Sequence, residues 1–241
     1  MIIDSETNFL YLADTLPKKF PLFYESLQSL LQIQEIEFAL IPETKDIWAV
    51  DYMPIQVHNN KFIQFMYNPS YLKAKKYQKT ISNVDQICKH LNYNIFKCDI
   101  ILDGGNVVKW KNKIIMTDRV FIDNPQYRKK ELIYKLYEIF EIDRIILIPE
   151  QPLDITGHAD GMIRFLDEHN VIINDFAKEK DWFKSSLKIA LHNAHLEYIE
   201  IPYNVYENKN DEDTNGTYIN YMQIEDSIFL PIFNLKEDEA A

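Results

Sequence analysis

Along this chain apolar residues recur four times in one order: at helical spacing, then in a short continuous run, then alternating with polar residues around a turn. The first repeat predicts a helix near Leu22–Leu31, a strand near Ile36–Leu40 and a hairpin over Pro54–Met66 that turns at Asn59-Asn60. In the second, Val84, Ile87, Cys88 and Leu91 share one helix face, Ile95–Leu102 reads as a strand, and Asn106–Thr117 as a hairpin turning near Lys111-Asn112. The third runs from a helix at Glu131–Phe140 through a strand at Arg144–Ile148 to a hairpin over Gly161–Asn174, turning at Glu168-His169-Asn170. The fourth has a helix at Asp181–His192, a strand at Glu197–Ile201 and a hairpin over Tyr218–Phe233, turning at Glu225-Asp226. Hairpins open at Pro54, Asn106, Gly161 and Tyr218, about 52 to 57 residues apart, which is the scale of a structural repeat.

Helices alternating with strands place the chain in the α/β class, expected as a single domain over residues 1–241. After the fourth hairpin only Leu235–Ala241 follows, which reads as the first turn of another helix. About four of five repeats are therefore expected, with the fifth barely begun. The acidic, Asn-rich stretch Asn208–Asn215 reads as a solvated surface insertion.

Composition narrows the function classes. With 46% hydrophobic and 13% aromatic residues the 241-residue chain has ample core for one globular domain. No apolar run approaches the ~20 residues that span a bilayer, so no membrane partner is expected. The opening Met1-Ile2-Ile3-Asp4-Ser5-Glu6 carries acid where an export signal carries Lys or Arg, which predicts a cytoplasmic protein. A net charge of -11 without a basic stripe argues against nucleic acid and favours a small cation. Cys88 lies on the apolar helix face and Cys98 inside a strand; both read as packed thiols with nothing to lower their pKa.

Glycine is scarce: five are present where average usage of about 7% would give roughly 17. Gly104 and Gly105 follow Asp103, Gly157 and Gly161 bracket His158-Ala159-Asp160, and Gly216 precedes Asn220. These are expected where the backbone bends sharply or approaches another group closely. Each adjoining cluster stands just before a hairpin, as does Trp48-Ala49-Val50-Asp51, and in a radial repeat such junctions converge at one end of the axis. Singly, each has an ordinary reading, since Asp readily bonds its own backbone in turns. His158 and Asp160 lack the further ligands zinc takes, so no metal is assigned; a metal hydrolase is the lowest-ranked alternative. His58, His90, His169, His192 and His195 are read without a role. Taken together, three carboxylates and a histidine suit a planar guanidinium, because a carboxylate accepts two parallel N–H bonds from it. Trp48 would add an aromatic wall worth about 0.5 to 2 kcal/mol.

Four stretches resemble the agmatine deiminase and Porphyromonas-type peptidylarginine deiminase family of the penteins: Asp46–Pro54, Leu102–Asn106, Gly157–Asp160 and Tyr218–Asn220. The resemblance covers the whole chain and implies a pseudo-fivefold α/β propeller. It also implies hydrolysis of a guanidino group through a cysteine-linked thiouronium intermediate, with no cofactor. Carried over, Asp51 and Asp160 would grip the guanidinium nitrogens, His158 would move protons, Asp103 would take the place of the family's usual Glu, and Asn220 would help hold substrate. Agmatine is expected ahead of peptidylarginine, for want of a signal peptide or a protein-handling module. Two departures stand out. Val50 replaces the family's usual Arg, and neither Cys88 nor Cys98 matches the nucleophile, which in the family lies in the fifth repeat. The chain is therefore expected to be inactive alone, or to be a non-catalytic pentein that binds a guanidinium compound or a protein partner. A homo-oligomer is expected to cover the gap.

Overall fold

Period and turn chemistry set most elements, and the computed structural model describes residues 1–241 apart from 92, 153, 207 and 209–212. Residues 209–212 of the acidic insertion expected at Asn208–Asn215 thus lie outside the described residues. The chain divides into two compact units, one of Ile2–Gly104 with Gln223–Ser227, the other of Met1, Gly105–Met222 and Ile228–Ala241.

In the first unit β1 (Leu10–Ala13) pairs in parallel with β2 (Phe38–Ile41), joined through α1 (Leu16–Lys19) and α2 (Pro21–Ile33). Proline in the first turn of each helix fixes a helical φ where no N–H is needed. After the one-turn helix α3 (Ala49–Tyr52), β3 (Ile55–His58) and β4 (Lys61–Met66) form an antiparallel hairpin. The amphipathic α4 (Val84–Leu91) then returns the chain so that β5 (Ile95–Ile101) lies parallel to β4. Val84, Ile87 and Cys88 of α4 pack with Ile41 and Tyr52 into this unit's core, on the face their spacing predicted.

The second unit repeats the device twice. Antiparallel β6 (Val108–Trp110) and β7 (Lys113–Thr117) are followed by α5 (Arg119–Asp123), α6 (Lys129–Phe140) and β8 (Arg144–Ile148), which is parallel to β7. Antiparallel β9 (Ile163–Phe165) and β10 (Asn170–Asn174) are followed by α7 (Asp181–Asn193) and β11 (Glu197–Ile201), parallel to β10. A parallel neighbour requires a crossover, and each helix supplies one. The shared core runs from Ile115 and Ile148 through Ile163 and Ile173 to Phe183 and Leu187. A last hairpin joins β12 (Met222–Ile224) to β13 (Ser227–Phe229).

Four expectations shift. The third hairpin begins at Ile163 rather than Gly161, because Asp154–Gly161 is a loop held by its own side-chain bonds. The fourth is confined to Met222–Phe229, since Tyr218 and Ile219 are drawn wholly inside and Asn220 closes a turn onto Thr217. Residues Lys236–Glu239 make a 3-10 turn, which Asp238 ties to the backbone N–H groups of Phe233 and Leu235. The short β1 carried no clear alternation and was not anticipated.

Candidate functional site

Asp51 stands on α3, whose single turn is set by its flanks. The Asp46 side chain accepts the Trp48 N–H at 3.2 Å, and the buried Tyr52 hydroxyl donates to the Asp46 carbonyl at 3.0 Å. Met53 is extended, as a residue before proline must be, and that ends the turn. Asp103 leaves the end of β5 and is only 5% exposed. The glycine after it lets the two segments meet: a Cβ on Gly104 would lie 1.9 Å from the Val50 carbonyl oxygen. Val50 therefore contributes its backbone to the contact, while its side chain is 57% exposed.

Two tyrosines that the sequence reading passed over complete this cluster. Tyr71 donates its hydroxyl to Asp103 Oδ2 at 2.7 Å. Burial pushes the Tyr71 hydroxyl far up, and the charges of Asp103 and then Asp51 push it further. Tyr67 is raised in the same way, first by burial, then by Asp51 and Asp103. Both phenols therefore stay protonated, and both sit in a negative field set by the same two carboxylates. Their only sequence signal was spacing, four residues apart in an aromatic loop. Trp48, expected as a wall, precedes α3 and is 41% exposed.

His158 and Asp160 share the loop ahead of β9. Asp154 accepts N–H bonds from Thr156 at 2.9 Å and Gly157 at 3.1 Å, the side-chain turn expected of an aspartate there. Gly157 has φ +67, and a Cβ would meet the ion-paired side chains of Arg119 and Glu150 at 2.7 and 2.9 Å. The positive φ favours glycine here, and a Cβ would in addition displace the ends of those two side chains. Gly161 departs from the expectation, since among the described residues no heavy atom beyond its chain neighbours lies within 4 Å of a Cβ placed there, and its φ is not positive. Its scarcity in the sequence did not signal a close approach.

His158 is buried, while Asp160 is half-buried. Desolvation raises the Asp160 carboxyl, and the neighbouring His158 and Arg164 offset part of that rise. The pair is electrostatically coupled. Asn220 is exposed, and its backbone N–H donates to the Thr217 carbonyl at 3.2 Å. Asp51 and Asp103 are thus brought together in the first unit and His158 with Asp160 in the second, where Asn220 also lies.

A family model described as Porphyromonas-type peptidyl-arginine deiminase matches residues 12–241. The chain belongs to this family. Among solved structures it is similar to C. jejuni agmatine deiminase, with 22% identity and a TM-score of 0.76 over 99% of this chain and 84% of that one. It is also similar to agmatine deiminase of Enterococcus faecalis, with 14% identity and a TM-score of 0.69 over 97% and 83% of the two chains. DDAH from Pseudomonas aeruginosa follows at 12% identity and a TM-score of 0.54, covering 93% of this chain and 84% of that one. At these identities the likeness is one of fold, the α/β fold of the pentein enzymes. No curated protein matches this deiminase-family chain in sequence. Among the described residues no helix is long and apolar enough to cross a membrane.

Proposed function

We propose that this chain recognises the guanidino group of agmatine, and that the reaction its residues are built for is hydrolysis of that group to a ureido group and ammonia. The observation that carries the reading is the negative field in the first unit. Asp51 and Asp103 act together on two half-buried tyrosines, one of which donates to Asp103, an arrangement that a planar cation with N–H donors would relieve. Membership of a family of guanidino-group hydrolases supplies the reaction class. In this reading Asp51, beside an Asp103 aimed by Tyr71, offers the first unit's acceptor for guanidinium N–H bonds; in the second unit Asp160 offers an acceptor and His158 takes and returns protons. Asn220 and Trp48 complete the contacts. The recurrence of a hairpin joined by a parallel strand in three sheets supports the finer reading of four pentein repeats.

A second reading is favoured by the thiols. Deimination in this family needs a thiolate at the guanidinium carbon, and burial pushes the Cys88 thiol up to about 11, with Asp85 adding to the rise. Residues 1–241 then bind a guanidinium without turning it over. Calorimetric titration with agmatine tests the shared claim. Binding is expected, weakened about tenfold or more by Asp51→Asn and by Asp160→Asn, the scale of one charge-assisted hydrogen bond. No binding, or variants that bind as tightly as the parent, would overturn it. Parallel titration with a blocked arginine peptide separates the peptidylarginine alternative.

A further inference from the structure

The His158-Ala159-Asp160 segment is held from outside by two side chains that have no place in the reading above. Thr117, the last residue of β7, is completely buried and donates its hydroxyl to the Gly157 carbonyl at 2.5 Å, while accepting the Arg119 N–H at 3.3 Å. Asn174, the last residue of β10, is equally buried and donates its Nδ2 to the Gly161 carbonyl at 2.7 Å. The two positions are equivalent in their sheets. Each ends the middle strand, opposite the last residue of the parallel neighbour, Ile148 for Thr117 and Ile201 for Asn174.

Their bonds fall on the carbonyls immediately before and after the three-residue segment. A third tie lies between them, from the Asp160 N–H to the Gly105 carbonyl at 2.9 Å. Thr117 is itself fixed, its N–H taken by the Asn106 side chain at 2.8 Å. Asn174 is a poor choice for stability alone. Its Oδ1 is buried without a hydrogen-bond partner among the described residues, whereas an apolar side chain of similar shape would bury nothing polar. What the amide provides is the bond to Gly161.

We infer that Thr117 and Asn174 are positioning residues, which clamp the main chain on both sides of His158-Ala159-Asp160 so that imidazole and carboxylate keep one mutual orientation. Their value for ligand binding rests on the guanidinium reading; the clamp itself does not. The test uses Thr117→Val, which keeps the volume and removes the hydroxyl, Thr117→Ser, which keeps the hydroxyl, and Asn174→Leu. Hydrogen exchange at the Asp160 amide is measured beside agmatine affinity and the urea midpoint.

Thr117→Val and Asn174→Leu should each speed exchange at Asp160 about tenfold or more and weaken agmatine by a similar factor, while Thr117→Ser stays within about twofold of the parent. Thr117→Val carries the test even where Asn174→Leu lowers the folded fraction. Unchanged exchange in Thr117→Val, or a Thr117→Ser variant as impaired as Thr117→Val, overturns the clamp. If the parent chain binds no agmatine, the guanidinium reading fails and the exchange rates alone decide the clamp.

Discussion

Gly104→Ala adds one methyl group at the most crowded glycine of the candidate site. The new Cβ would lie 1.9 Å from the Val50 carbonyl oxygen and 2.9 Å from its carbon. Since a C–H···O contact relaxes at about 3.3 Å or more, one backbone must move by more than an ångström. Both segments are constrained, Val50 within α3 and Gly104 between the buried Asp103 and Gly105. Overpacking of that kind costs about 1 to 3 kcal/mol, and at about 2 to 4 °C per kcal/mol for this chain length the Tm should fall by about 2 to 12 °C. The same movement parts Asp51 from Asp103, so agmatine should bind about tenfold or more weakly, the loss of one hydrogen bond to a charged group. Gly161→Ala is the matched control, with no heavy atom of the described residues beyond its chain neighbours within 4 Å of its added Cβ. By restricting the unfolded chain it should stabilise by about 0.4 to 1 kcal/mol. Scanning calorimetry and agmatine titration on both variants check this. A Gly104→Ala protein melting within about 1 °C of the parent, well under the shift worked out above, would refute the reasoning, as would a Gly161→Ala protein harmed as much as Gly104→Ala.

Burial holds the Asp160 carboxyl above its ordinary 3.8, so the folded chain binds that proton more tightly than the unfolded one and ionisation costs stability as the pH rises through the folded value. Asp160→Asn should therefore raise the urea midpoint at pH 7, with the gain shrinking as the pH falls toward 3.8; a lower midpoint at pH 7 sinks this assignment. With its thiol pushed up to about 11 from 9.0, Cys88 should hold roughly a hundredfold less thiolate than an ordinary cysteine at pH 8. It should resist iodoacetamide until the chain is unfolded, and the chain should release no ammonia from agmatine. Turnover abolished by Cys88→Ala would contradict both statements, and turnover abolished by Cys98→Ala would contradict the second. On α2, Leu22 is 79%, Phe23 58% and Ile33 71% exposed, an apolar surface that predicts self-association and dye binding. Light scattering should show species larger than one chain, fewer after Leu22→Glu with Ile33→Glu, whereas a monodisperse parent with low dye binding refutes the expectation.

The positions of α2, α4, α6 and α7, of β5, β8 and β11, and of the hairpin turns at Asn59-Asn60 and Lys111-Asn112 were all legible in the sequence. Each depends on the period of apolar residues or on local turn chemistry, which a neighbouring stretch of chain cannot easily override. The segments bearing Asp103, His158 and Asp160 stood out one at a time as short polar motifs beside glycine, and the one bearing Asp51 as a motif just before a hairpin. What the sequence did not disclose is partnership across distance. Gly104 and Gly161 look alike in the chain, yet a carbonyl from 54 residues earlier crowds only the first. Tyr67 and Tyr71 were two aromatic residues among many until the return of β5 set Asp103 against them. Thr117 and Asn174 look like ordinary strand ends, and only the tertiary structure puts the carbonyls of Gly157 and Gly161 within their reach. Backbone periodicity is a local property, whereas burial and hydrogen bonding between distant segments arise from how the segments pack, so the chemistry around these carboxylates was decided by the fold.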